Sequence, residues 1–348
     1  MRRERGGWMA GLARALVAAL LLALPATVVA ADDSPSGPPS VQMVPGTVAI
    51  DSAAEDAIRE ALADAKEALP AVEAYAVTDV RILGDHAFVS VIGLAGLMPG
   101  KPWNLLDNGA WFGLVALERR ADDRWTGAVE GTLGFSAIIE RIPDHVLDTP
   151  AKVGLDPLRR PGLPASAIHL PWPDGTSMYY GSLGVHSNGF PSLVSGWLAV
   201  DMLSDGNTAV GHAPNQLLAS AGGTITYRCS PAAGETSTAI KIGSLMYTHL
   251  LYSANLYVGR TVTQGETLGQ LKTGTFSEVC GYASQGAGWF HVHWGFPNTS
   301  PFEAGGWSLN LSDSIWRRGN QSRSVNTWLR ADPDVPARVY YFPQMMRR

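Results

Sequence analysis

The stretch "GWFHVHWGFP", residues 288 to 297, sets His291 and His293 two positions apart in a run of bulky apolar residues. In a β-strand successive side chains alternate between faces, so the two imidazoles share one face while Phe290, Val292 and Trp294 take the other. An imidazole withdrawn from water needs a partner. Two on one face point to a metal or catalytic site, and a pair of satisfied core histidines is the plain alternative. Three more residues could join them: His186 in "GVHSNGFP", His249 at the end of "LMYTHL", and Asp201 in "GWLAVDM". A lone acid among apolar neighbours is costly unless it is paired or metal-bound. A catalytic zinc takes three nitrogen or oxygen ligands and leaves a fourth position for water. Four histidines and one carboxylate would fill that set and leave two imidazoles as proton carriers and electrostatic stabilisers. Spacing does not say which residue takes which role.

The elements around these residues are short. From residue 175 to 348, β-like runs such as "GWLAVDML", "GGTITYRC", "TAIKIG", "LGQLKTG" and "WFHVHWGF" recur between glycines, so a mainly β domain with an antiparallel sheet is expected. Residues 47 to 148 read as a small α+β domain. Its helix, "DSAAEDAIREALADAKEAL", carries a capping box of Ser52 and Glu55 and an apolar stripe of Ile58, Leu62, Ala65 and Leu69; Pro70 stops it. Four alternating segments follow, "AYAVTDVRI", "HAFVSVIGL", "WFGLVALERR" and "RWTGAVEGTL". His86 and His145 stand alone there and are read as structural. Residues 149 to 174 hold six prolines and read as a linker containing His169, with Arg159-Arg160 as a cleavage point.

The first thirty residues combine arginines with the apolar run "ALVAALLLALPATVVA" and a small-residue cleavage pattern at Val28 and Ala30. A secretory signal peptide over 1–30 is expected, followed by a Pro/Ser-rich linker over 31–46 and no stable membrane insertion after cleavage. Cys229 and Cys280 are the two cysteines. In an exported chain they are expected to form one disulfide, worth roughly 4 kcal/mol in the chain-entropy model. Charge divides unevenly: residues 32 to 150 carry a net of −11 and residues 151 to 348 a net of +3. An acidic segment covering a mildly basic working surface would produce that division. Tyr179, Tyr180, Trp289 and Trp294 are candidates to line a groove or to fill core.

The order "H…AVDM…YTHL…VGRTVTQGETLGQL…HVHWGF" resembles the lysostaphin/LytM-type zinc endopeptidases, and within them the beta-lytic and staphylolysin branch. The resemblance covers about residues 180 to 300. It implies a LytM/lysostaphin-like catalytic domain and one Zn2+ ion held by His186, Asp201 and His293. It also implies His249 and His291 as the catalytic pair and a Cys229–Cys280 disulfide. Three departures stand out. Trp197 occupies the position four before the aspartate where commoner members keep the first histidine. His186, fifteen before it, matches the longer loop of the beta-lytic branch, with His212 as the rival. Gly288-Trp289-Phe290 replaces the usual Thr-Gly-Pro, and Trp294 stands where phenylalanine is common.

The function so implied is that of an exported zinc metalloendopeptidase, secreted or held in the cell envelope, acting as a monomer. Its substrate would be peptidoglycan, at Gly-containing cross-bridges, or a Gly-rich peptide; no nucleic acid partner is expected. The alternative is a degenerate member that binds cell wall or regulates another hydrolase. Residues 47–148 would then be an inhibitory or folding-assisting pro-domain, cut away after export.

Overall fold

The computed structural model describes residues 39–44, 47–159, 168–186, 197–229, 237–283, 285–298, 300–305, 307–332 and 339–341. The signal-peptide segment lies outside the described residues, as do positions 31–38. Among the described residues no helix is long and apolar enough to cross a membrane. The fold is mostly antiparallel β with a small α+β layer at the N-terminal end, as the alternating segments lead one to expect.

That layer is built on a five-stranded sheet of β1 (Ser40–Met43), β2 (Ala74–Leu83), β3 (His86–Leu94), β4 (Gly109–Arg119) and β5 (Trp125–Val129), paired in that order. Strands β2 to β5 pair antiparallel, but β1 pairs parallel to β2 and falls inside the stretch expected to be a linker. Its side chains alternate between exposed and half-buried, an edge pattern too short to stand out in sequence. Helix α1 (Ser52–Asp64) buries Ile58 and Leu62 on one face of this sheet, against Val89, Val91, Val115 and Leu117. Its cap is Asp51, whose carboxylate accepts from the Ala54 N–H at 2.7 Å, one residue ahead of the expected Ser52 cap. A carboxylate at the positive end of a helix satisfies both an orphan donor and the helix dipole.

The other face of the layer is buried as well. After the short α2 (Leu105–Asn108), helices α3 (Leu133–Arg141) and α4 (Thr149–Leu155) cover Phe88, Leu114 and Ala116. Helix α4 occupies the start of the expected linker; Asp148 caps it at the Ala151 N–H, and its proline sits in the first turn, where no N–H is needed. Gly154 lets it lie on the large sheet, because a Cβ there would stand 1.9 Å from Thr224 Oγ1. The end of that linker is core, with Ile168, Leu170 and Trp172 buried and the His169 N–H donating to Ser220 O at 2.8 Å.

The second sheet has nine strands. In chain order they are β6 (Ser177–Tyr180), β7 (Trp197–Ser204), β9 (Gly223–Cys229), β10 (Ser237–Ile242), β11 (Leu245–Leu251), β12 (Thr261–Val262), β16 (Phe290–Pro297), β21 (Thr327–Asp332) and β22 (Val339–Tyr341). Across the sheet the order is β12-β9-β10-β11-β16-β7-β6-β21-β22, so β11, β16 and β7 lie at its centre. Smaller ladders join β8 (Leu217–Leu218) to β13 (Thr267–Gly269) and β14 (Phe276–Glu278) to β15 (Gly281–Ala283). A four-stranded sheet runs β17 (Phe302–Ala304), β18 (Trp307–Asn310), β19 (Ile315–Arg318), β20 (Gln321–Arg323).

One face of the nine-stranded sheet carries the main core, including Tyr180, Val200, Met202, Tyr247, Val292 and Trp294. The opposite face meets the N-terminal layer. There Ala199, Tyr227, Ala239 and Met246 share a cluster with Ala76, Ile92, Leu105 and Phe112. Phe112 meets Trp197 and Tyr227 at ring separations of 5.5 and 5.2 Å. Polar contacts cross the same boundary: Ser90 Oγ accepts from the Arg228 N–H at 3.3 Å, and Thr78 Oγ1 lies 3.2 Å from Arg228 O. The described residues from 39 to 341 therefore pack as one compact unit. A chain cut between Arg159 and Arg160 is expected to stay together, because separation would expose this apolar cluster to water. Size-exclusion chromatography of the cut protein without denaturant checks this; separate elution of the two pieces is the contrary result.

Candidate metal centre

The three central strands carry the candidate residues to one face. In β16, His291 and His293 alternate with Val292 and Trp294, which lie in the main core. Antiparallel register pairs His293 with Asp201 of β7. Asp201 therefore projects on the same face, beside Ala199, while Val200 and Met202 point into the core. His186 precedes β7 but is tied to it by a two-way backbone bridge with Ala199, at 3.0 and 2.9 Å. A Cβ at Gly181 would lie 3.1 Å from the Asp201 Cβ, so glycine keeps the neighbouring row clear.

His249 reaches this face by a break in alternation. In β11, Tyr247 pairs with Trp294 and belongs to the core face, so strict period two would send His249 there also. Its φ of 66° turns the backbone instead. The ring comes within 4.4 Å, centroid to centroid, of His291 and 6.2 Å of His293. A left-handed conformation at a non-glycine residue costs about 1–3 kcal/mol and survives only where surrounding structure holds it. The holding element is the β14–β15 hairpin, fastened by the Cys229–Cys280 disulfide and by Glu278, which accepts from the Ser237 N–H and pairs with Lys272. Phe276 packs against the His249 ring at 5.3 Å, and a Cβ on Gly281 would stand 2.9 Å from His249 Nδ1. His249 Nδ1 is buried with no hydrogen-bond partner among the described residues.

Three donor atoms converge. His293 Nδ1 is 2.8 Å from Asp201 Oδ1, His186 Nε2 is 3.4 Å from His293 Nδ1, and His186 Nε2 is 3.8 Å from Asp201 Oδ1. Ligands at about 2.0–2.1 Å in a tetrahedral zinc site stand roughly 3.3 Å apart, so this spacing fits one small cation. His186, Asp201 and His293 form the one His/Cys/Asp/Glu group of this kind among the described residues. The Nδ1–H of His186 donates to Gly184 O at 2.8 Å, which leaves Nε2 as its basic nitrogen, facing the group.

His291 stands beside the group, its Nε2 3.8 Å from Asp201 Oδ1. Its Nδ1–H donates to the amide oxygen of Gln285, which can only accept, so the basic nitrogen of His291 is Nε2. The Gln285 amide nitrogen in turn donates to Trp289 O at 3.0 Å. Sequence reasoning missed Gln285, since one polar residue in a Gly-rich turn carries no signal. His212, the rival ligand, lies elsewhere: its Nδ1 is 2.6 Å from Asp205 Oδ1 and its ring stacks on Trp328 at 3.6 Å. Tyr180 and Trp294 are core, whereas Tyr179 and Trp289 are half-buried.

Burial and neighbouring charge set the protonation. Burial would raise the Asp201 carboxyl, but the His293 hydrogen bond and the surrounding imidazoles outweigh it and hold it well below the usual carboxylate range. Burial lowers His249 strongly, with His291 adding to the effect. Burial also lowers His291, to about 4, against the pull of Asp201. A histidine with a folded-state pKa below its unfolded value of about 6.5 protonates first in the unfolded chain. Its stabilisation is complete above that value and is lost as pH falls toward about 4. With metal chelated, the urea midpoint should therefore drop between pH 6.5 and 4, and His291→Gln should flatten that drop. A midpoint level across this range in the parent protein would contradict the assignment.

No protein-family model and no curated protein sequence matches this chain. Two solved structures share a partial likeness. A zinc-containing peptidase from Vibrio cholerae aligns at 11% identity with a TM-score of 0.22, covering 72% of this chain and 61% of that one. Helicobacter pylori Csd3 aligns at 11% identity with a TM-score of 0.22, covering 79% of this chain and 57% of that one. The chain thus spans about three fifths of the length of each, and likeness at this level assigns no activity.

Proposed function

We propose that this chain is an exported zinc metalloendopeptidase that hydrolyses Gly-containing peptide bonds of peptidoglycan cross-bridges. The observation that carries the reading is the convergence of His186 Nε2, Asp201 Oδ1 and His293 Nδ1 on one face of the sheet, with two further imidazoles alongside. A donor set of two imidazoles and one carboxylate suits zinc with an open fourth position. When bound, zinc supplies a Lewis acid that acidifies water and polarises a carbonyl.

The chain's own groups do the rest. His291, with Nδ1–H engaged by Gln285, presents Nε2 as the base that takes a proton from the attacking water. His249, 4.4 Å from it ring to ring, carries the proton toward the departing amine and stabilises developing negative charge. Burial disfavours the cations of both rings, so both enter the reaction neutral. The β14–β15 hairpin and Phe276 cover His249. The disulfide supports export, since such bonds persist in oxidising compartments. A cell-wall substrate is supported by the motif resemblance and by the net of +3 over residues 151 to 348, which suits an anionic polymer. In this reading the protein acts as a monomer and binds no nucleic acid.

The acidic N-terminal layer is proposed as a cover that restrains activity. It packs on the same sheet face as the site, reaching Ala199, two residues from Asp201. Because the cut pieces are expected to stay packed, the cut alone should leave the rate unchanged. Loosening the contact with Phe112→Ala should raise it, and an unchanged rate in that variant would make the layer a permanent wall of the cleft.

His293→Ala should abolish both metal and hydrolysis, while His249→Ala should keep near-normal zinc and lose roughly 10² to 10⁴ in turnover. Elemental analysis, with release of amines from purified walls and from pentaglycine, checks both. Full zinc in His293→Ala sinks the ligand set. Full zinc in a parent protein that binds walls without cutting them selects the non-catalytic alternative.

A further inference from the structure

The row of residues that begins at His291 continues across the sheet. His291 pairs with Leu203 of β7, Leu203 with Tyr179 of β6, and Tyr179 with Trp328 of β21. Cross-strand partners project on the same face, so Tyr179 and Trp328 lie on the face that carries the metal centre. Trp289, two residues before His291, closes the group. Tyr179 stands 6.3 Å from Trp289 and 5.8 Å from Trp328, ring to ring, and Trp289 stands 6.2 Å from Trp328. The planes are splayed by 39° to 74°, so the rings form a corner and not a stack. Trp328 is the buried floor; Tyr179 and Trp289 are half-exposed walls.

The rim of this corner is polar. His212 stacks on Trp328 and is oriented by Asp205, whose carboxylate keeps 28% of its exposure. The Tyr179 hydroxyl donates to the exposed Asn326 Oδ1 at 3.0 Å. An aliphatic side chain of a peptide would be served by a closed apolar pocket. Aromatic faces beside a carboxylate, an imidazole and an amide instead match a pyranose ring, which has an apolar C–H face and a belt of hydroxyls. We infer that Tyr179, Trp289 and Trp328, rimmed by Asp205, His212 and Asn326, form a sugar-binding subsite beside the metal centre.

Two strand spacings separate Tyr179 from His291, about 10 Å. An extended peptide covers that distance in about three residues. The substrate class is therefore a glycan-linked peptide, with its sugar in the aromatic corner and its scissile bond about three residues away. This step rests on the peptidase reading, but sugar binding can be measured without it.

The probe is the β-1,4-linked N-acetylglucosamine tetramer, titrated into the full chain by calorimetry and tryptophan fluorescence. Saturable binding is expected, weakened at least tenfold by Trp289→Ala and largely restored by Trp289→Phe, each variant checked by its thermal melt. Saturation-transfer NMR on the unsubstituted protein should label the C–H protons of one sugar face. The unsubstituted protein treated with chelator should bind the tetramer as the untreated protein does, so failure of the peptidase reading leaves this result intact. Absence of binding, equal binding by Trp289→Ala, or a tryptophan response to pentaglycine and not to the tetramer would overturn the subsite.

Discussion

His293 Nδ1 and Asp201 Oδ1, 2.8 Å apart, join the two central strands of the large sheet, through a shared proton or, with zinc bound, through the ion both would ligate. A carboxylate and an imidazole lodged in an apolar sheet are tolerable only as partners, since either one alone would forfeit its hydration without compensation. Register between β7 and β16 is consequently not free. A slip of one residue would turn Asp201 and the two histidines of β16 to opposite faces and would push Val200 or Trp294 out of the core. The same bond draws His186 and His291 inward, for both stand 3.8 Å from the one Asp201 oxygen.

Around that bond the chain adds restraints in order of distance. Gln285 and Gly184 O fix which nitrogens of His291 and His186 face inward. The hairpin bearing Cys280 presses Gly281 against His249 and holds its unusual backbone angle. Backbone strain at His249 and a buried ring nitrogen without a partner among the described residues are features a stability-optimised sheet would avoid. Their concentration at one residue agrees with a role in chemistry more than in folding.

The N-terminal layer gives the sheet its second buried face. Strands β2 to β4 are covered on both sides, by α1 on one and by α3, α4 and the large sheet on the other. The layer and the large sheet therefore depend on each other for burial, and Asp79 of the layer, buried at their boundary, faces Arg228 of the sheet. That shared core is what the proposed covering role of the layer rests on.

Much of this was legible in residues alone. Alternation with period two placed His291 and His293 on one face, and the isolated acid in "GWLAVDM" announced a partner, because both follow from backbone geometry and the cost of burying charge. The mainly β character and the single cysteine pair were equally local. The side on which His249 emerges was not, because its φ is imposed by a hairpin about thirty residues further along the chain. Strand β1 and helix α4 were hidden in stretches whose prolines read as linker, since their stability comes from the surfaces they cover and not from their own pattern. Sequence determined which residue types were available and which neighbours shared a face. Only the tertiary structure decided that His186, Asp201 and His293 meet, that His212 does not join them, and that Tyr179 lines the same face. Those outcomes depend on strand order and register, which pair residues about a hundred positions apart.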